Sequence, residues 1–184
     1  MSTITIDNEL SGDASVWPTA IKYGIIGAVA NAVLTMLFYN VGLMELDDSG
    51  QAGSFVPTIV TTLLGIAVLF LGLKTYRDTE NGGRLTVGRG ALWSLAYGLI
   101  GGLVAAVFTY LFFTFLAPEF IENMAALQEA ALEDSGASAE QIEQTQGMMG
   151  MFMSPGFFAI TSVFSTVITS LIIGSIISIF IKTR

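Results

Sequence analysis

Four long stretches without a charged side chain constrain what this chain can fold into. They are the residues from Tyr23 to Met44, Ser49 to Leu73, Gly90 to Pro118 and Gln144 to Ile181. A helix needs about 20 apolar residues to cross a hydrocarbon core of roughly 30 Å, and backbone in lipid must satisfy its own hydrogen bonds. The chain is 53% hydrophobic and 12% charged, with a mean hydropathy of +0.71, unlike a soluble globular protein. We therefore predict four membrane-spanning helices.

We treat residues 1–184 as one domain. Proline and hydroxyl residues mark where its predicted helices begin. Trp17-Pro18 suits an early helical position at the headgroup boundary, and Thr86 and Ser154 are N-cap candidates. The predicted spans are about 18–43, 56–74, 86–117 and 154–181. Residues 1–16 are polar and acidic and are expected to be loose. Their acidity also argues against a cleaved signal peptide, which needs a basic start.

The segment 118–150, between the third and fourth spans, has a different pattern. Its apolar residues recur at spacings of four, three and four from Phe120 to Ala131, as on one face of a helix. Ser135-Gly136 indicates the end of that helix, and Ser138 with Gln141 resembles the capping box of a second one. We predict an amphipathic helical hairpin here.

The distribution of charge predicts the orientation of the chain. If four helices cross the membrane, all seven Lys and Arg residues fall on one side. The connections on the other side hold ten carboxylates and no basic residue. Basic flanks are retained in the cytoplasm, so we expect both termini to be cytoplasmic and the hairpin to be extracytoplasmic. The acidity itself has two interpretations: solvation of exposed helices, or attraction of a basic partner or of cations.

Small residues recur on the predicted spans at intervals of four. Such faces allow helix backbones to approach closely, either within one bundle or against a second copy or a larger complex. We treat these residues as a candidate helix-packing or partner surface: Gly98 and Gly102 in the third span, and Ser162, Thr166, Ser170, Gly174 and Ser178 in the fourth.

Asn31 is a polar amide near the middle of the first span. An amide in hydrocarbon needs a partner, and the hydroxyls of Thr61 and Thr62 or of the fourth span are candidates. The alternative is that Asn31, Thr61, Thr62 and Thr166 line a path for a solute. No Asp, Glu, Lys or Arg lies within the core of a span, away from its ends, which disfavours ion-coupled transport.

Several chemistries lack the side chains that they need. The chain has no Cys and no His, which excludes disulfides, thiolate sites and the commonest acid–base group and metal ligand. The methionines of Gly147–Met153 are soft thioether ligands, but we interpret them as flexible interfacial side chains. Glu119 and Glu122 are the carboxylate pair nearest a membrane edge, and solvation explains them. We expect no enzyme activity, no metal and no cofactor.

Five segments stand out by their order and spacing. They are KYGIIGA near the start of the first span, YRDTENGGRLTVGRGA (Tyr76–Ala91), APEFIENM (Ala117–Met124), SGASAEQIE (Ser135–Glu143) and Ser154-Pro155. Together they resemble an uncharacterised family of bacterial inner-membrane proteins common in Bacteroidota, domain of unknown function 4199. The family usually has an aromatic residue where Val87 stands and an alanine where Gly90 stands. The resemblance implies four membrane helices with an extracytoplasmic helical insertion before the last, and it implies no activity.

The sequence thus predicts an all-α integral membrane four-helix bundle with an extracytoplasmic amphipathic helical hairpin between membrane helices 3 and 4. We expect a multi-pass protein of the bacterial inner membrane, in contact with lipids and not with nucleic acid. Homo-oligomers and larger membrane complexes stay open as partners. A non-enzymatic scaffold or accessory subunit is the first functional hypothesis, and a transporter or channel for a small neutral solute is the alternative.

Overall fold

The computed structural model describes residues 14–45 and 54–183. Predictions for residues 1–13 and for most of the acidic connection between the first two spans lie outside these residues. So does the capping role of Gln141, because seven side chains are also left out of the description. They belong to Ala139, Gln141, Ile142, Glu143, Gln146, Met148 and Met149.

Within the described residues the chain is helical, with no strand. Helices α1, α2, α3 and α6 are long and apolar enough to cross a membrane, so the chain is a multi-pass membrane protein by length and composition. Single π-helical turns extend α2 over Tyr76–Glu80 and α3 over Phe112–Leu116. The six helices are α1 Trp17–Asn40, α2 Val56–Thr75, α3 Val87–Leu111, α4 Pro118–Asp134, α5 Ala139–Phe152 and α6 Pro155–Ile181.

The predicted helix starts and stops rest on local hydrogen bonds. Thr86 and Ser154 each accept a bond of 3.2 Å from the backbone N–H three residues later, which confirms both N-caps. Gly136 follows α4 with a positive φ of 78°, as expected for a helix stop. The first span ends at Asn40 and not near 43, because Gly42 also has positive φ and the N–H of Leu43 bonds back to Phe38.

The four long helices alternate in direction and enclose one bundle. Helix α3 packs along α6 and α1, α2 packs mainly on α1, and α2 and α6 contact each other little. We call the end with the start of α1, the α2–α3 loop and the end of α6 the basic end, because all six described Lys and Arg residues lie there. The opposite end, which carries α4 and α5, is the acidic end.

Glycine and hydroxyl residues alternate across the antiparallel α3–α6 interface. The Cβ of Ser178 lies 2.7 Å from where a Cβ on Gly90 would stand, and the Cβ of Ser94 lies 2.5 Å from that point on Gly174. Glycine continues to face serine or threonine at each successive turn of the two helices. The facing pairs are Gly90 with Ser178, Ser94 with Gly174, Gly98 with Ser170, and Gly102 with Thr166.

The serine hydroxyls in this interface are satisfied inside their own helices. Ser94 donates to the carbonyl of Gly90 at 2.8 Å, and Ser178 donates to that of Gly174 at 2.6 Å. Each serine therefore fills the space beside the opposite glycine, and its own hydroxyl hydrogen is still paired. This is why the two backbones approach so closely.

A polar network joins the segments that meet at the basic end. The buried hydroxyl of Tyr76 donates to the carbonyl of Ala14 at 2.9 Å and accepts from Arg89 Nε at 2.8 Å. Thr183 bonds to both the N–H and the C=O of Leu85 and to the carbonyl of Gly83. The segment before α1, the α2–α3 loop and the end of α6 are thereby tied together.

Helices α4 and α5 have little contact with this bundle. No residue of α4 is buried. In its first turn, the Phe120 ring stacks on Phe113 with centroids 5.6 Å apart, and Phe113 in turn lies 5.3 Å from the ring of Phe158 in α6. The Tyr39 hydroxyl also donates to Glu119. Two helices, α4 and α5, lie where the sequence predicts the amphipathic helical hairpin.

The glycine at position 98 is expected to be essential for α3–α6 packing. In Gly98→Ala the new Cβ would lie 2.9 Å from the Cα of Val167, a backbone atom that cannot rotate away. We expect a loss of about 1–3 kcal/mol in unfolding free energy, typical of overpacking. Gly88→Ala is the matched control on α3, because nothing lies within 4 Å of its new Cβ. Thermal unfolding in mild detergent that is equal for both variants would contradict this account.

The Tyr76 hydroxyl is expected to hold the basic end together. Tyr76→Phe removes an acceptor from Arg89 and a donor from Ala14. We expect a cost of about 1–3 kcal/mol, since a bond to a charged group in a buried site is lost. Tyr110→Phe serves as the control, because that ring is 48% exposed and its hydroxyl bonds to no described residue. A lower unfolding temperature in mild detergent for Tyr76→Phe, with that of Tyr110→Phe unchanged, would support the assignment, and equal unfolding temperatures would contradict it.

Candidate functional site

A cavity of about 390 Å³ lies between α1, α2, α3 and α6. Asn31 of α1, Thr61 and Thr62 of α2, and Thr166 of α6 all line it. None of its lining residues is charged. The cavity lies near the middle of α1 and α6, in the part of the bundle where α2 stands away from α6.

Small residues create this space. Gly24 on α1 and Gly101 on α3 approach so closely that a Cβ on Gly24 would lie 3.2 Å from the Gly101 nitrogen. Beyond that contact, Ala28 and Ala105 are too small to fill the gap between the helices. Gly65 of α2 has no atom within 4 Å of its Cβ position, so that wall is also open.

Aromatic side chains form the floor of the cavity toward the basic end. The Tyr97 hydroxyl lies against Gly27 of α1, and its ring stacks on Trp93 with centroids 5.5 Å apart. Trp93 is fully buried and donates from Nε1 to the Thr19 hydroxyl at 3.0 Å. Thr19 in turn donates to Glu80 at 2.9 Å. The floor is therefore held rigidly from below.

The polar groups of the cavity retain unused hydrogen-bonding capacity. Asn31 donates to Gly27 O at 3.1 Å, within α1, and its carbonyl oxygen accepts from no described residue. Thr61 donates to the Pro57 carbonyl at 2.7 Å. The hydroxyls of Thr62 and Thr166 bond to no other described residue. Polar groups at membrane depth are costly without partners, so these atoms suit a ligand with hydrogen-bonding groups or water.

Asn31 does not make the interhelical hydrogen bond that the sequence suggested. The predicted hydroxyl partners Thr61 and Thr62 share the cavity with Asn31, but its amide bonds within its own helix. The reason is that the cavity separates α1 from these side chains. The three residues are brought together as a lining and not as a direct interhelical hydrogen bond.

The small residues of α3 and α6 are used inside the chain. Gly98, Gly102, Ser170, Gly174 and Ser178 lie in the α3–α6 interface described above. Thr166 has two environments, because its Cβ lies 3.5 Å from the Cβ position of Gly102 and it also lines the cavity. Ser162 is half-buried and donates to the Ala159 carbonyl at 2.7 Å.

Three polar lining residues were missed at the sequence level. Ser165 and Thr169 lie one turn apart on the α6 face that points to the cavity, and Tyr97 forms the floor. The signal for the first two was the density of hydroxyls in TSVFSTVITS (161–170). No sequence pattern singles out Tyr97, because a tyrosine in an apolar helix is usually part of the buried core.

A larger cavity of about 840 Å³ lies at the acidic end, between α4 and the end of α1. Tyr39, Met44, Glu45 and Glu119 are among its lining residues. The hydrogen bond from Tyr39 holds the pKa of the Glu119 carboxyl below its usual value. Glu119 therefore keeps its charge at neutral pH. Glu122, its neighbour on α4, is exposed.

No group of three or more Asp, Glu, His or Cys side chains in the described part of the chain is placed to hold a metal ion. The methionine segment Gly147–Met153 is described only in part, because the side chains of Met148 and Met149 lie outside the described residues. Met151 is 70% exposed. The groups available for chemistry in the central cavity are therefore hydroxyls, one carboxamide and a phenol.

Comparison with known proteins identifies a family but no function. The family described as "Protein of unknown function (DUF4199)" matches residues 22–183, which include nearly all of the four long helices and the hairpin. No curated protein and no solved structure shows significant similarity to the chain. Because the match covers most of the sequence, the chain belongs to the DUF4199 family of proteins of unknown function.

Proposed function

We propose that this protein is a non-enzymatic membrane protein that binds a small uncharged polar solute in its central cavity and lets it pass. The carrying observation is the set of polar side chains, Asn31, Thr61, Thr62 and Thr166, that converge on one space without protein partners across it. This was the alternative hypothesis from the sequence. The scaffold hypothesis depended partly on the small residues of α6, and four of them, Thr166, Ser170, Gly174 and Ser178, pack against α3.

The size and chemistry of the cavity indicate the class of solute. Its volume of about 390 Å³ is within the range of small-molecule sites, about 300–1,000 Å³. The lining offers hydroxyls and an amide oxygen but no charge, so it favours alcohols, amides and similar neutral groups over ions. An ion in this site would lose its hydration without a compensating charge.

The proposed location is the bacterial inner membrane, with the basic end in the cytoplasm. Six described Lys and Arg residues lie at that end, close to the helix termini, where the retention of positive charge acts. Both chain termini would then be cytoplasmic, and the α4–α5 hairpin would be extracytoplasmic. The outward faces of the helices carry large apolar side chains such as Val33, Leu63 and Phe164, which suit lipid.

A role as an accessory subunit is the second candidate, and the hairpin favours it. Helix α4 buries none of its residues, and its apolar residues Phe120, Met124 and Leu127 are only partly covered. Such a helix at a membrane edge suits a partner or the lipid interface. Purification in mild detergent with a stoichiometric partner would support this candidate, whereas a strictly monomeric, partner-free protein would weigh against it.

The orientation is testable because the chain contains no cysteine. We expect Arg84→Cys, at the basic end, to react with an impermeant maleimide only after the cells are opened. Glu133→Cys, exposed on α4, should react in intact spheroplasts. The reverse pattern would overturn the proposed topology, and labelling of both positions from one side would contradict four crossings.

The role of the cavity is testable by flux measurements. Purified protein in liposomes should accelerate the passage of glycerol, urea or erythritol, followed by stopped-flow light scattering. We expect Thr166→Val to lower that flux about two- to tenfold, as the loss of one hydrogen bond predicts. Thr161→Val is the matched control, an exposed threonine of α6 outside the cavity lining. Flux equal to that of protein-free liposomes for all three solutes would count against the proposal.

A further inference from the structure

Three cavities adjoin one another between the middle of the bundle and the acidic end. A third cavity, of about 190 Å³ between α1 and α3, lies between the central cavity and the acidic-end cavity, and we call it the connecting cavity. This connecting cavity shares Ala28, Asn31 and Ala105 with the central cavity. It shares Met44 with the acidic-end cavity. The shared residues make the three spaces one series, with Asn31 at the inner junction.

The wall on the α1 side consists of small side chains in helical register. Ala28, Ala32 and Thr35 lie at spacings of four and three on the face of α1 that lines the connecting cavity. The helices touch at Gly24 and Gly101, nearer the basic end, and the cavity occupies the space beyond that contact. The same small-residue face of α1 that packs closely at Gly24 is therefore uncovered further along.

Two aromatic rings and Met44 lie at the outer junction, between the connecting cavity and the acidic-end cavity. The rings of Tyr39 and Phe112 meet edge to face with centroids 5.3 Å apart, and Met44 lines both adjoining spaces. Toward the basic end the situation differs, because Leu69, Leu73 and Trp93 are 0–3% exposed and belong to a continuous buried core. Cavities therefore line the way toward the acidic end, whereas buried side chains fill the bundle toward the basic end.

The mouth of this series carries negative charge. Glu45 and Glu119 line the acidic-end cavity, and no Lys or Arg is among its described lining residues. A low-dielectric cleft with charge of one sign concentrates solutes of the opposite sign and repels those of the same sign. The mouth thus discriminates by charge before a solute reaches the neutral site at Asn31.

We infer that solutes reach the central cavity from the acidic end, through the passage between α1 and α3, and that the mouth admits neutral and cationic molecules in preference to anionic ones. This inference rests on the proposed function and names its access route. It commits to the α1–α3 passage. The gap between α2 and α6, which exposes Thr62 and Thr169 toward the bilayer, is the competing route.

Single-cysteine variants test the route, and the chain offers a matched control. Ala32→Cys and Thr35→Cys place a thiol in the passage. Val33→Cys places one on the lipid-facing side of the same helix, where the native residue is 59% exposed. Small cationic and anionic thiosulfonate reagents are applied from either side of vesicles whose orientation is set by the Arg84→Cys and Glu133→Cys references.

We expect the two passage thiols to react from the acidic side and the Val33→Cys thiol to stay unmodified. The cationic reagent should react faster than the anionic one, relative to a free thiol. That preference should fall on the order of three- to tenfold in Glu45→Gln, as the removal of one nearby charge predicts. Reaction from the basic side, or equal reaction of Val33→Cys, would overturn the route. A charge preference unchanged in Glu45→Gln would overturn the selective mouth.

The outcomes separate this inference from the proposed function. Solute flux that persists while both passage thiols are inert would leave the function standing and reject the route. Reactive passage thiols without any flux would leave the passage standing and reject the transport function. Thermal unfolding of Ala32→Cys and Thr35→Cys at the wild-type temperature shows that inert thiols do not reflect misfolding.

Discussion

The close packing of α3 on α6 is the contact on which the rest of the structure depends. In lipid there is no hydrophobic force to bring helices together, so association relies on close van der Waals contact and on hydrogen bonds. The alternation of glycine with serine or threonine from Gly90 and Ser178 to Gly102 and Thr166 supplies that contact over three helical turns. Glycine in a helix costs about 1 kcal/mol relative to alanine. The gain in contact area offsets that cost only where a facing side chain fills the space.

Small side chains also explain why the bundle has a cavity. Helix α3 is held by α6 on one side and by α1 at the Gly24–Gly101 approach on the other. Helix α2 is held mainly by α1 and by the buried core near Leu69 and Leu73, and it is not drawn to α6 elsewhere. Between α2 and α6, small residues therefore leave empty space, because no facing side chain fills it. Whether a glycine closes or opens a structure depends on what faces it, as Gly98 and Gly65 show.

The two ends of the molecule differ in mechanical character. The basic end is a continuous network in which Tyr76, Arg89 and Thr183 fasten three separate segments of the chain. At the acidic end, the first turn of α4 is attached by Phe120 and by the Tyr39–Glu119 hydrogen bond, and no residue of α4 is buried. A bundle that is fixed at one end and loosely covered at the other is suited to admit molecules at the loose end. The proposed access route follows this asymmetry.

The sequence by itself determined how many times the chain can cross a membrane, because charge-free length is a local property. It also determined the helix ends at Thr86, Ser154 and Gly136, where a side chain or a positive φ acts on its own neighbours. It identified Asn31, Thr61, Thr62 and Thr166 as polar residues at membrane depth. Only the tertiary structure decided that they surround one cavity, and that Gly90 and Ser94 extend the α3–α6 contact. The physical reason is that a membrane helix is apolar on both its lipid-facing and its core-facing sides, so its sequence pattern does not reveal which face meets a neighbour.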